Sequence, residues 1–141
     1  MARESAQAQT CAMQAMQRSL LVVDDDAAER VRLAQGLRAA GMDVLESARG
    51  DVALDLARDR LPDLLMIFAA DLPEMAADDF TLALRTDPVI RDTPVVFAGE
   101  AKDERELWRL ASACGTSYVL VKPFGLEDVL RVIGELLPRD A

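Results

Sequence analysis

Apolar residues in this chain come in two alternating patterns: short continuous runs, and stretches where they recur at helical spacing. Leu20-Leu21-Val22-Val23 is the first run, and it ends abruptly at Asp24-Asp25-Asp26. Four apolar residues without alternation predict a strand covered on both faces. Over 27–40 the apolar positions Val31, Leu33, Ala34 and Leu37 keep helical spacing, and Gly41 follows as a stop. The alternation then repeats. Residues 42–46, 64–70, 94–98 and 118–121 read as strands two to five. Helix two is 51–60, with Val52, Ala53, Leu56 and Ala57 on one face and Pro62 beyond its end. Helix three is 78–85, ended by the Asp87-Pro88 turn, and helix four is 103–114, capped by Gly115. The last helix is 126–137, before Pro138.

Strands that alternate with helices, and are this apolar, imply an α/β fold: a doubly wound, five-stranded parallel sheet with helices on both faces. In that (βα)5 architecture, ligand chemistry collects at the carboxyl ends of the strands. Residues 20–138 form the single expected domain. Residues 1–19, rich in Ala, Gln, Met and Ser without a strand or turn signal, read as a flexible leader.

Composition narrows the functions. The 141 residues carry 16 Lys+Arg against 25 Asp+Glu, a formal charge of −9, which is the wrong sign for a phosphate backbone. No nucleic-acid partner is expected. The longest apolar run, 64–70, falls far short of the roughly 20 residues of a membrane span, and the leader lacks the apolar core of a secretory signal. The expectation is a cytoplasmic protein without a membrane partner. The two cysteines, Cys11 and Cys114, have no paired spacing and read as reduced thiols. Histidine is absent, which removes His-containing triads and imidazole metal ligands, and no nucleophile elbow supports a small hydrolase.

Three adjacent carboxylates at the end of strand one allow two readings. Asp24 and Asp25 suit a hard divalent cation, since Mg²⁺ takes oxygen ligands and often uses only one or two carboxylates. Equally, Asp26 suits the N-cap of the following helix, with its neighbours favouring the dipole.

At the far end of the chain, strand five runs into Lys122-Pro123-Phe124. Here the sequence resembles the receiver domain of bacterial two-component response regulators. The resemblance runs over 20–137 and rests on Leu21-Val22-Val23-Asp24-Asp25-Asp26, on Gly50, Ala53 and Leu54, and on Pro62-Asp63-Leu64. Thr93-Pro94-Val95-Val96 and Gly115 with Lys122-Pro123-Phe124 complete it. It implies phosphoryl transfer to an Asp at the end of strand three, assisted by Mg²⁺ on the acidic pair, a lysine and a Ser/Thr hydroxyl. Asp24, Asp25 and Lys122 match that machinery; the rest departs from it.

The acceptor lies four residues before a loop proline in the family, and counting back from Pro73 reaches Ala69. Counting forward from Pro62 reaches Phe68. Met75, Asp79, Leu84 and Arg85 fit the pattern after Pro73, which favours Ala69, but neither side chain can accept a phosphoryl group. The hydroxyl position is Gly99, which offers only a backbone N–H. The switch position, where the family carries an aromatic residue, is Val119; Tyr118 is one place early and faces the other way.

Such a chain reads as a degenerate pseudo-receiver, not an enzyme, that signals through protein contact without phosphorylation. Its partner would be a histidine kinase or a downstream signalling protein, or a second copy through the fourth helix, fifth strand and fifth helix. No cofactor is required, and without a third carboxylate Mg²⁺ would bind only weakly to Asp24 and Asp25. The alternative is a Mg²⁺-dependent receiver that uses Asp71, which shares strand parity with Ala69. Lys122 is expected to pair with Asp24 or Asp25. Trp108, beside the core stripe of helix four, reads either as partly buried packing or, with Val119, as part of a partner-binding surface.

Overall fold

In the computed structural model, which describes residues 18–68, 71–72, 75–115 and 118–137, the first apolar run forms β1 (Ser19–Val23). The chain continues through α1 (Ala27–Ala39), β2 (Asp43–Ser47), α2 (Gly50–Arg60) and β3 (Leu64–Phe68). Two short strands, β4 (Asp71–Leu72) and β5 (Met75–Ala76), precede α3 (Ala77–Thr86). Then come β6 (Val95–Gly99), a 3-10 turn over Ala101–Asp103, α4 (Glu104–Cys114), β7 (Val119–Val121) and α5 (Leu126–Leu136).

The main sheet has the order β2-β1-β3-β6-β7, and every pair in it is parallel. Counted along its own strands, the order is 2-1-3-4-5. The order in which strands are added reverses between β1 and β3, so a crevice opens outside their carboxyl ends. The expected doubly wound α/β sheet is therefore the fold of this chain.

The strands are apolar throughout because alternate residues serve two separate cores. Leu21, Val23, Leu65, Ile67, Val95 and Phe97 pack under α2, α3 and α4 with Ala53, Phe80, Leu84, Leu107 and Leu110. Leu20, Val22, Leu64, Met66, Val96 and Ala98 pack under α1 and α5 with Ala34, Leu37, Val129 and Ile133. Each such large side chain, fully buried, contributes about 1.5–3 kcal/mol of transfer free energy.

Element ends follow local chemistry. Asp26 caps α1 by accepting from the Glu29 backbone N–H at 3.1 Å. Gly41 and Gly115 take the left-handed turns expected after α1 and α4, with φ of 95° and 77°. Asp128 Oδ2 accepts from the Gly125 N–H at 2.9 Å at the start of α5.

Four details correct the reading from sequence. Ser19 pairs with Asp43 in the β1–β2 ladder, so the sheet begins inside the expected leader, of which residues 1–17 lie outside the described residues. Val31 and Val52 are exposed, because the stripe facing the sheet runs through Ala34 and Leu37 on α1 and through Ala53, Leu54 and Ala57 on α2. The last strand starts at Val119, with Tyr118 outside it. The described part of the third strand ends at Phe68, and Asp71 pairs antiparallel with Ala76 in a separate hairpin.

Candidate functional site

The first strand delivers its carboxylates to the crevice in different settings. Asp24 stays in register, its N–H donating to the Ser47 carbonyl at 3.0 Å, and only 2 % of its surface is exposed. Asp25 and Asp26 are exposed. Asp26 serves as the α1 cap, while Asp24 Oδ1 accepts from the Asp26 N–H at 3.0 Å. The two readings of the acidic run thus apply to different members of it.

Asp24 Oδ2 is buried without a donor among the described residues. Burial pushes the Asp24 carboxyl up to about 7 from its ordinary 3.8, and the Glu29 carboxylate beside it adds to the rise. The Asp26 N–H and the Lys122 ammonium oppose that rise.

These groups line a cleft of about 290 Å³. Asp24, Asp25 and Asp26 enter it from the β1–α1 connection, Glu29 from the first turn of α1, Phe68 from β3, Gly99, Glu100, Lys102 and Asp103 from the end of β6 and the turn after it, and Lys122 from the end of β7. Backbone pairing sets the lysine in place, since the Lys122 N–H donates to the Gly99 carbonyl at 2.8 Å. Its ammonium does not take the expected partner. Lys122 Nζ lies 2.5 Å from Glu29 Oε1, in place of an ion pair with Asp24 or Asp25. Glu29 stands on the first turn of α1 with its carboxylate over the cleft, whereas Asp24 is sunk below and engaged by the Asp26 N–H. Hydrogen bonding to Glu29 chiefly holds the Lys122 ammonium above its ordinary range.

Phe68 occupies the end of β3 facing this cleft. It is 3 % exposed and stacks on Phe124, with ring centroids 5.9 Å apart and planes inclined by 29°. Lys122 Nζ lies 5.9 Å from the Phe68 centroid, within cation–π range. Of the two counts made from the flanking prolines, the forward one therefore lands on a residue that lines the cleft. Ala69 lies outside the described residues. Parity counted along β3 does not extend to Asp71, which belongs to the β4–β5 hairpin.

Gly99 is buried at the end of β6, and a Cβ built there would sit 3.1 Å from Leu107 Cδ1. Val119 packs against the α2–α4 core while Tyr118 packs on the opposite face and donates its hydroxyl to Glu135, as strand alternation requires. Trp108 is 43 % exposed on α4, with Nε1 donating to Glu104 at 3.4 Å.

Sequence reasoning missed Glu29. A signal was present, since Asp26 with Glu29 three residues on has the spacing of a capping box. In the structure only half of that box forms: Asp24 takes the Asp26 N–H, which leaves Glu29 for Lys122. Among the described residues no group of three metal-ligating side chains comes together.

An open parallel sheet of order 2-1-3-4-5, with an acidic crevice at its first strand and a lysine after its last, defines the receiver class of α/β proteins. The chain belongs to the response regulator receiver domain family, whose model matches residues 20–134. It is thus a receiver domain of two-component signalling.

Among curated relatives, it is 31% identical over 120 residues to the phosphate regulon transcriptional regulatory protein PhoB of Rhizobium meliloti, covering 85% of this chain and 52% of that protein. The chain thus spans about half the length of that regulator. It is 31% identical over 94 residues to the polar-differentiation response regulator DivK of Brucella anthropi, covering 64% of this chain and 76% of that one. Among solved structures, chemotaxis response regulator CheY4 of Vibrio cholerae superposes with a TM-score of 0.74 at 27% identity, covering 86% of this chain and 99% of that one. The receiver domain of sensor histidine kinase PA1611 from Pseudomonas aeruginosa, solved with a magnesium ion in its active-site cleft, shares the fold. Its TM-score is 0.74 at 21% identity, covering 84% of this chain and 96% of that one. Among the described residues, no helix is long and apolar enough to cross a membrane.

Proposed function

We propose that this receiver signals through protein contact without accepting a phosphoryl group. The observation that carries the reading is the Phe68 ring at the end of β3, stacked on Phe124 beside Lys122. Phosphoryl transfer needs a carboxylate nucleophile, a cation to spread the developing charge and donors on the phosphoryl oxygens. The phenyl ring supplies no nucleophile, Gly99 supplies no hydroxyl, and Lys122 is held by Glu29.

Magnesium fits the same residues poorly. Its donor set is Asp24, whose Oδ2 is buried and raised toward the neutral form, and the exposed Asp25. By either count, Phe68 or Ala69, the residue where the resemblance puts the third carboxylate has no side-chain oxygen to offer. Two carboxylates without that third ligand hold the ion weakly, and no step of the proposed function runs through it.

The test is intact mass after the full chain is incubated with acetyl phosphate and Mg²⁺, beside Asp71→Ala. The expected result is a folded protein with no phosphoryl adduct. A base-labile adduct on the wild type that is lost in Asp71→Ala would overturn this reading in favour of the Asp71 acceptor.

Output then passes through a protein partner, in the cytoplasm, with a histidine kinase or a downstream signalling protein as the class expected. Trp108 on α4 and Val119 on β7 stand on the face that would receive it, and a second copy docking through α4, β7 and α5 uses the same face. Trp108→Ala is expected to weaken binding about tenfold, as loss of an interface aromatic does, without changing the melting temperature. Unchanged affinity, measured by titration of the partner, removes Trp108 from the interface.

A further inference from the structure

Beside the acidic cleft lies a second cavity, of about 570 Å³, between α1 and the start of α5. That volume lies within the span of small-molecule sites, about 300–1,000 Å³. Its walls are apolar: Phe68 and Phe124 present their stacked rings, and Leu126 and Val129 close the α5 side. Leu126 is 37 % exposed, a large apolar side chain left facing the opening.

The absence of a side chain at one position of α1 sets how closely Leu126 approaches. Gly36 sits in the interior of α1, where glycine costs about 1 kcal/mol of helix stability relative to alanine. A Cβ at Gly36 would lie 3.2 Å from Leu126 Cδ2, so the glycine lets this wall of the cavity pack against α1.

Charge at the cavity is distinct from that of the molecule. The chain carries −9 overall, yet Arg32 and Lys122 both line this cavity, with Glu29 as its one carboxylate, already paired with Lys122. Arg32 is exposed and has no ion pair or hydrogen bond among the described residues. A guanidinium without a partner, lining the same cavity as aromatic and aliphatic side chains, is complementary to a ligand with an apolar, planar body and an anionic head.

We propose that the cavity between α1 and α5 is a binding site for a small amphipathic anion, an aromatic carboxylate or sulfonate, whose ring packs on Phe124 and Leu126 and whose head faces Arg32. The site adjoins the cleft through Phe68 and Lys122, which line both. It takes its ligand whether or not the cleft accepts a phosphoryl group.

The test is a fluorescence titration of the full chain with 1-anilinonaphthalene-8-sulfonate, followed by displacement with 2-naphthoate and with neutral 2-naphthol. Saturable one-site binding, displaced by 2-naphthoate more effectively than by 2-naphthol, is expected. Leu126→Trp should fill the space and abolish it. Arg32→Glu should weaken it about fivefold, more at low salt, while Arg32→Lys keeps it. Should Leu126→Trp fail to fold, the exposed Arg32 pair of variants still decides. Binding that does not saturate, that 2-naphthol displaces equally well, or that is the same in the wild type and in Arg32→Glu, overturns the proposal.

Discussion

β1 and β3 run side by side in parallel register, with Val23 opposite Ile67, and then finish in opposite chemistry. β1 ends in a carboxylate that is buried and short of donors. β3 ends in a phenyl ring buried equally deep. The strand interiors are interchangeable in kind, both apolar on both faces, so the difference is confined to the residue where each meets the crevice. A receiver scaffold is thus specified by the alternation of core residues, and its chemistry by single positions that the core does not constrain.

The largest effect on this contrast should come from making the two ends alike. Phe68→Asp restores a carboxylate opposite Asp24 and beside Lys122. With acetyl phosphate and Mg²⁺ it is expected to gain one phosphoryl adduct by intact mass, against none for the wild type. Phe68→Asn, which lacks a nucleophile, should gain none. Both variants lose the buried ring and its stacking, at about 3–5 kcal/mol as for other buried Phe truncations, so each is tested below its melting temperature. An adduct-free, folded Phe68→Asp protein would mean that Phe68 does not mark the acceptor position.

A smaller effect sharpens the β1 side. The folded Asp24 carboxyl is raised to about 7 from 3.8, so between those values the folded state holds a proton that the unfolded state has released. The contribution of Asp24 to stability therefore falls as pH rises from about 4 to about 7. Asp24→Asn removes the burial cost of the charge, and its stabilisation relative to wild type should be about 2 kcal/mol greater at pH 7.5 than at pH 5. Urea unfolding at the two pH values measures it, and a gain independent of pH would show that Asp24 titrates normally.

The smallest effect concerns the link between the two sides. Glu29→Gln takes away the Lys122 partner in a half-exposed pair, which should cost about 0.5–1 kcal/mol. It also removes one of the causes raising Asp24, so the Asp24 titration followed by carboxyl NMR should move to lower pH. A titration that stays in place would leave burial as its sole cause.

The difference between the two strand ends also separates what could be read in the sequence from what could not. Residues that serve two cores leave an unmistakable run, so β1, β3 and β6 were legible, and the helices between them followed from their spacing. The place of Gly99 at the cleft was legible because Pro94 fixes the count on a regular strand. The end of β3 was not, because the counts from Pro62 and Pro73 disagree by one residue and periodicity does not say where a chain leaves a sheet. The partner of Lys122 was illegible for another reason. A long ammonium side chain selects among carboxylates by depth and prior engagement, and Asp24 is both deeper than Glu29 and already bonded to the Asp26 N–H. Val31 and Val52 show the limit of spacing alone, since an apolar residue beside the buried stripe carries the same hydrophobic signal as one within it.

The contact between Gly99 and Leu107 bears on which side chains position 99 accepts. A hydroxyl-bearing residue at position 99 needs a Cβ, and that atom would press on Leu107 Cδ1 at 3.1 Å in a core where Leu107 has no exposed surface. A change at 99 alone is therefore penalised until Leu107 shifts or shrinks, and a smaller residue at 107 alone leaves a void beneath α4. The two positions are coupled: a side chain at 99 and a smaller or displaced residue at 107 fit together better than either change fits alone.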